Sequence, residues 1–198
     1  MSSTSAPRLS LLAEAEPSRH SLTGRLALTI AASLFVAICA HISFPTPLSP
    51  VPTTLQPFAV LLVGLALGPA GGFAALTLYL IEGASGLPVF TPQGPGGVAQ
   101  LLGPTAGYLF SYPLAAAVAG AAVSLFRRRL PAFPSALLAA SLALVPIFGM
   151  GASWLAHLMK LNATQAAHLA ITPFLGAEIV KLFAAAAAYT ALNLTRRS

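Results

Sequence analysis

The sequence predicts an all-α, polytopic membrane protein with six transmembrane helices in one compact bundle. Three observations predict it. Of the 198 residues, 57% are hydrophobic and only 7% are charged, against about 25% charged in a soluble domain. Apolar runs near the ~20 residues that cross a bilayer as a helix recur along the chain. The breaks between them are either rich in Pro and Gly or built from arginine.

Residues 1–24 are polar, with Arg8 and Arg19, and lack the apolar core and cleavage site of a secretory signal. They are expected to form a disordered cytoplasmic tail, leaving 25–198 as the transmembrane domain. Helix 1 opens at Arg25 and ends near Ser43. The uncharged segment "FPTPLSPVPTTLQP" (44–57) holds five prolines and is a loop, because proline cannot continue a helix interior. Residues 55–82 are too long for one comfortable span, and "GPAGG" (68–72) interrupts them. Two short helices, 55–67 and 71–82, joined by a tight turn, are expected. A second uncharged loop covers 83–104, with "GPGG" (94–97) permitting close backbone approach and motion, as suits a lid. Helix 4 runs over 105–126 until Arg127, Arg128 and Arg129 stop it. Helix 5 covers 135–158 with an expected kink at Pro146, and helix 6 covers 170–194 before Arg196 and Arg197.

Charge parity checks the count. If the basic N-terminus, the 127–129 loop and the basic C-terminus all face the cytoplasm, an even number of spans separates each pair. Four and then two spans satisfy this, so both termini are expected inside. The outward segments are then 44–54, 83–104 and 159–168, and only Glu82 and Lys160 bring charge to that side.

Composition also removes whole classes of function. The net charge of +6 would suggest nucleic acid in a soluble protein. Here the bases sit at span ends, so no nucleic-acid partner is expected; the surrounding partner is the lipid bilayer. Cys39 is the single cysteine, so no internal disulfide can form. No GxxxxGK[ST] motif occurs, so ATP chemistry must come from other chains. No cofactor, no metal and no enzymatic activity are expected.

Against this background "GAEIVK" (176–181) stands out. A charge inside a bilayer costs roughly 2.5–3.5 kcal/mol on insertion scales, yet Glu178 and Lys181 share one face of helix 6, since i and i+3 side chains touch. One explanation is an ion pair that glues helices. The other is a ligand site, because intramembrane ionisable residues mark such sites. An ammonium holds a carboxylate while an acid accepts N–H donors, so the ligand would be an anion at one end and a hydrogen-bond donor at the other. Thr54 and Gln56 at the entry to helix 2, Glu82 at the end of helix 3, and Gln100, Thr105 and Tyr108 around the entry to helix 4 lie on the same outer side. Thr54 and Thr105 also qualify as helix N-caps, and Tyr108 as an interfacial aromatic. On helix 1, Ala27 and Ala31, then Ser33 and Ala37, form small-xxx-small pairs that let another membrane helix approach.

Four motifs taken together, "VPTTLQPFAVLLVGLALGPAGG" (51–72), "YLIEGASGLPVF" (79–90), "GPTAGYLFSYPLAA" (103–116) and "PFLGAEIVK" (173–181), resemble the BioY family. These are the biotin-binding S-components of energy-coupling-factor (ECF) vitamin transporters. The resemblance implies a six-helix bundle in the bacterial cytoplasmic (inner) membrane that captures biotin from outside for uptake. It implies a site on Lys181 and Glu178, with Gln100 and the segment after "GPT", where Tyr108 lies, as further contacts, although the family more often has Asp where this chain has Glu178; Gln56, Thr54 and Glu82 join the expected site by their place on the outer side. It further implies a membrane coupling subunit docked on helix 1 (Ala27, Ala31, Ser33, Ala37) together with two ATPase subunits. Glu178 would accept from a ureido N–H of biotin or hold Lys181 charged in the empty site; both assignments stand. An S-component for thiamine or riboflavin is the near alternative. A distant one is a rhomboid-like serine protease, for which "GASG" (83–86) would supply Ser85, with His157 or His168 as its base.

Overall fold

The computed structural model describes residues 21–195; the expected tail lies outside them, apart from the short stretch 21–24. Helix α1 (Leu22–His41) starts where the Ser21 hydroxyl accepts the Gly24 N–H. This is the side-chain capping that satisfies a helix's first free donors. Two-residue strands β1 (Ser43–Phe44) and β2 (Thr53–Thr54) pair antiparallel and close the proline-rich loop into a small ribbon.

The next helical segment, α2 (Gln56–Ala84), contains a sharp reversal. Gly68 has φ 75° and ψ −178°, a backbone region essentially confined to glycine, and Pro69 follows. In a straight helix Gly64 and Gly72 would stand about 12 Å apart. Here a Cβ on Gly72 would lie 3.0 Å from the Gly64 Cα, and the Gln56 amide reaches the Tyr79 hydroxyl at 2.6 Å. The two arms therefore fold back on each other, as the "GPAGG" break predicts, but through one residue instead of a turn spanning 68–70. At 1.5 Å per residue the arms measure roughly 18 and 24 Å, short of the ~30 Å hydrocarbon core of a typical bilayer.

The 83–104 segment is not wholly irregular: it contains the short helix α3 (Gly97–Gln100). Helix α4 (Ala106–Phe126) and helix α5 (Ala132–Met159) follow. Pro146 lies inside α5, which continues through it. Lys160, at φ 53°, ends α5 in the left-handed conformation. The expected outer loop 159–168 is largely helix α6 (Ala163–Ala170), opened by an Asn162–Gln165 capping box. A 3₁₀ turn (Thr172–Phe174) then leads into α7 (Leu175–Thr195), so the last long helix starts later than expected.

Among the described residues, five segments are long and apolar enough to cross a membrane: α1, α2, α4, α5 and the α6–α7 stretch. Large side chains such as Leu26, Ile30, Leu34, Ile38, Val145 and Val180 point outward, while the interior holds small residues. Ala59, Ala75, Ala115, Ala116, Ala119, Ala139 and Ala143 are fully buried. Close packing of backbones on small residues is how helices associate where lipid is as apolar as leucine. The α2 hairpin and α4 form the centre, with α1 packed on α2, α5 on α4, and α7 against α5 and α2.

Candidate functional site

A cavity of about 530 Å³, including its mouth, opens between α2, α4, α5, α7 and the two long connections. Its mostly apolar wall with a few polar groups is typical of a small-molecule site. Val51, Pro57, Leu109, Ile147, Phe148 and Phe174 supply apolar surface. Of the residues expected from sequence, Thr54, Gln56, Gln100, Thr105, Tyr108 and Glu178 line it.

The polar groups differ in what they have left to offer. Thr54 donates to Gln56 Oε1 and accepts the Gln56 backbone N–H, both at 3.2 Å. Gln56 in turn donates to the Tyr79 hydroxyl, which donates to the Val89 carbonyl at 3.0 Å. Tyr108 spends its hydroxyl on the Ala170 carbonyl, at 2.6 Å, and its ring meets Phe174 edge-on. Gln100 donates to the Thr105 hydroxyl at 3.0 Å and accepts from Gly96 N–H at 3.2 Å. Thr105 thus serves Gln100 instead of capping α4. These side chains shape the cavity while already satisfied by the protein.

Glu178 is different. Its Oε1 accepts from Lys181 Nζ at 2.6 Å in a buried pair, both residues being less than a tenth exposed. Its Oε2 is the one buried side-chain oxygen or nitrogen without a partner among the described residues. Leaving a buried acceptor unpaired is costly, and more so for a charged one. Lys181 does not line the cavity; it braces Glu178 from behind. Sequence reasoning missed two polar wall residues. Tyr112 of α4 lines the cavity, and its hydroxyl makes no hydrogen bond among the described residues. Thr91 donates to Gln93. Tyr112 lies four residues beyond Tyr108, one helical turn on the same face, and that spacing was the available signal.

Some expected positions lie elsewhere. Glu82 is not on the cavity; the Ser33 hydroxyl of α1 donates to it, so it ties α1 to the second arm of α2. The small-residue set on α1 does not share a face. Ala27 and Ala31 are exposed, whereas Ser33 and Ala37 are buried. Six residues at 100° each turn the helix by about 240°, which carries the second pair into the core. The protease reading finds no support: the exposed Ser85 hydroxyl donates to the Glu82 carbonyl at 2.7 Å at the end of α2. No hydrogen bond joins it to a histidine among the described residues.

Comparison with known proteins agrees with this architecture. A crystal structure described as the S-component for biotin from an ECF-type ABC transporter superposes with a TM-score of 0.77, covering 86% of this chain and 91% of its own, at 23% identity; it shares the fold. A probable biotin transporter BioY of Pyrococcus horikoshii is 40% identical over 152 residues, 75% of this chain and 85% of the relative. The biotin transporter BioY of Thermotoga maritima is 36% identical over 160 residues, 79% of this chain and 90% of that one. The profile of the BioY family matches residues 10–197, and the chain belongs to that family.

Proposed function

We propose that this chain is the substrate-binding membrane subunit of a biotin uptake system and that the cavity holds biotin. The observation that carries the reading is the unpaired, buried Oε2 of Glu178 on the cavity wall. A carboxylate oxygen only accepts, so the ligand must bring a donor there. The ureido ring of biotin brings N–H groups and a carbonyl. In this reading one N–H goes to Glu178 Oε2, and the Tyr112 hydroxyl, free of protein partners, donates to the ureido carbonyl. Lys181, already engaged with Oε1, keeps Glu178 charged and oriented. This selects between the two roles open for Glu178: it takes the ureido N–H, and its lysine does not hold the ligand's carboxylate. Apolar side chains cover the thioether ring and the aliphatic tail.

The wider setting belongs to the same proposal. Six crossings, counting each arm of α2, place both termini and the Arg127–Arg129 loop in the cytoplasm of a bacterial inner membrane. Biotin enters past the loop 44–54 and the glycine-rich loop 83–104, which acts as a lid. A coupling subunit with two ATPases then drives release, docking on the exposed Ala27–Ala31 edge of α1.

The test is equilibrium binding of biotin to the detergent-purified chain alone, with thiamine and riboflavin as controls. Selective biotin binding that is lost in Glu178→Ala is the expected result. A well-folded chain that binds none of the three rules out the proposal and returns the Glu178–Lys181 pair to a structural role.

A further inference from the structure

A second chamber adjoins the cavity. It is lined wholly by the connections 44–54 and 83–105, including Pro50, Gln93, Gly94 and Pro104. It shares four residues with the first cavity: Pro52, Thr91, Gln100 and Thr105. Glu178 and Tyr112 face only the first. Of the shared residues Gln100 is the long side chain, and it is 2% exposed. Its amide is held at both ends, by Thr105 and by Gly96 N–H. It lies so close against Gly94 that a Cβ there would come within 1.8 Å of its Oε1.

We propose that the Gln100 side chain is a partition between the two chambers and sets the maximum length of the ligand. The inference rests on the biotin reading above. With the ureido ring at Glu178 and Tyr112, the carboxylate end points away from them, toward the wall shared with the second chamber. A ligand extended at that end, such as biotin amidated on a lysine (biocytin), meets Gln100. Displacing Gln100 breaks both of its hydrogen bonds and leaves the amide with poor replacements, so the closed chamber excludes the longer ligand. Thr91, Gln93 and Thr105 make the second chamber polar enough to accept an amide linkage once the partition is removed.

The experiment compares the affinities of biotin and biocytin for the full chain in detergent, for the wild type, Gln100→Ala and Gly94→Ala. The wild type is expected to prefer biotin by at least about tenfold, the scale of discrimination by pocket shape. Gln100→Ala is expected to erase most of that preference by admitting biocytin. Gly94→Ala, which lines only the second chamber and pushes Gln100 aside, should shift the ratio the same way, and it decides the matter if Gln100→Ala does not fold. Equal wild-type affinities for the two ligands, or an unchanged ratio in the variants while biotin still binds, overturns the partition. So does a Gln100→Ala variant that loses both ligands equally, since that marks Gln100 as a ligand contact. Failure of the folded wild type to bind biotin at all overturns the biotin reading itself.

Discussion

Glu178 and Lys181 are three residues apart, and the helix alone brings them together. What the helix does not set is which atom each turns inward. The structure pairs Glu178 Oε1 with Lys181, leaves Oε2 without a partner, and puts Glu178 but not Lys181 on the cavity wall, so the two substitutions should act differently. Lys181→Met leaves a buried carboxylate without its cation, a change that typically costs about 3–5 kcal/mol. The melting temperature in detergent should fall sharply and biotin binding with it. The double variant Glu178→Gln/Lys181→Met removes both charges and should recover most of the stability, because replacing both members of a buried pair is often near neutral, yet still bind biotin poorly. Recovery of binding together with stability would make the pair purely structural. At this scale the charged pair was legible in the sequence, since charge is rare in so apolar a chain. The paired state of Gln56 was not, because its partner Tyr79 is far along the chain and meets it only once the α2 hairpin has folded.

Among elements, the α2 hairpin packs backbone to backbone against α4. A Cβ on Gly120 would lie 2.4 Å from the Gly68 carbonyl carbon and 2.5 Å from the Pro69 nitrogen. These are backbone atoms at the reversal, and they cannot swing aside. Gly120→Ala should therefore wedge α4 from the hairpin, at a cost of at least about 1–3 kcal/mol for overpacking, read as a lower melting temperature. Gly149→Ala is the matching control. Nothing lies within 4 Å of its added carbon, and alanine in a helix interior gains about 0.5–1 kcal/mol over glycine, so it should be neutral or stabilising. A Gly120→Ala variant as stable as that control would mean the hairpin is not locked by this contact. The glycine and proline punctuation made the reversal visible beforehand. α6 escaped notice because "ATQAAHLA" is too short and too mixed to read as a span; its signal was the Asn162–Gln165 capping box.

Over the whole molecule, the polar groups separate toward two ends. Arg25 shares a groove with Ala66, Leu67 and Ala70 beside the α2 reversal. Gly120 packs on that reversal, less than two turns before Arg127. The ribbon β1–β2, α3 and α6 lie at the opposite end, where Ser43 donates to Gln93 and joins the two long loops. Such an arrangement matches the excess of arginine on cytoplasmic faces. It yields a topology test. Reporter fusions after Arg129 and at the C-terminus should score cytoplasmic, and fusions in 44–54 and 83–104 should score external. A fusion near Gly68 should score cytoplasmic if each short arm of α2 crosses. An external score there would mean the hairpin does not cross as two spans, and would break the six-crossing count.

The sequence by itself determined the class, the helix order and the unusual acid–base pair. Those follow from local properties: hydropathy over about twenty residues, glycine and proline as helix breakers, and the 3.6-residue period. Only the tertiary structure decided which side chains face the cavity. It turned Ser33 and Ala37 inward, drew Glu82 to α1, placed Tyr112 on the wall, and left one oxygen of Glu178 unpaired. Such outcomes depend on helix rotation and on contacts between residues far apart in the chain, such as Gln56 with Tyr79, and no local pattern encodes those.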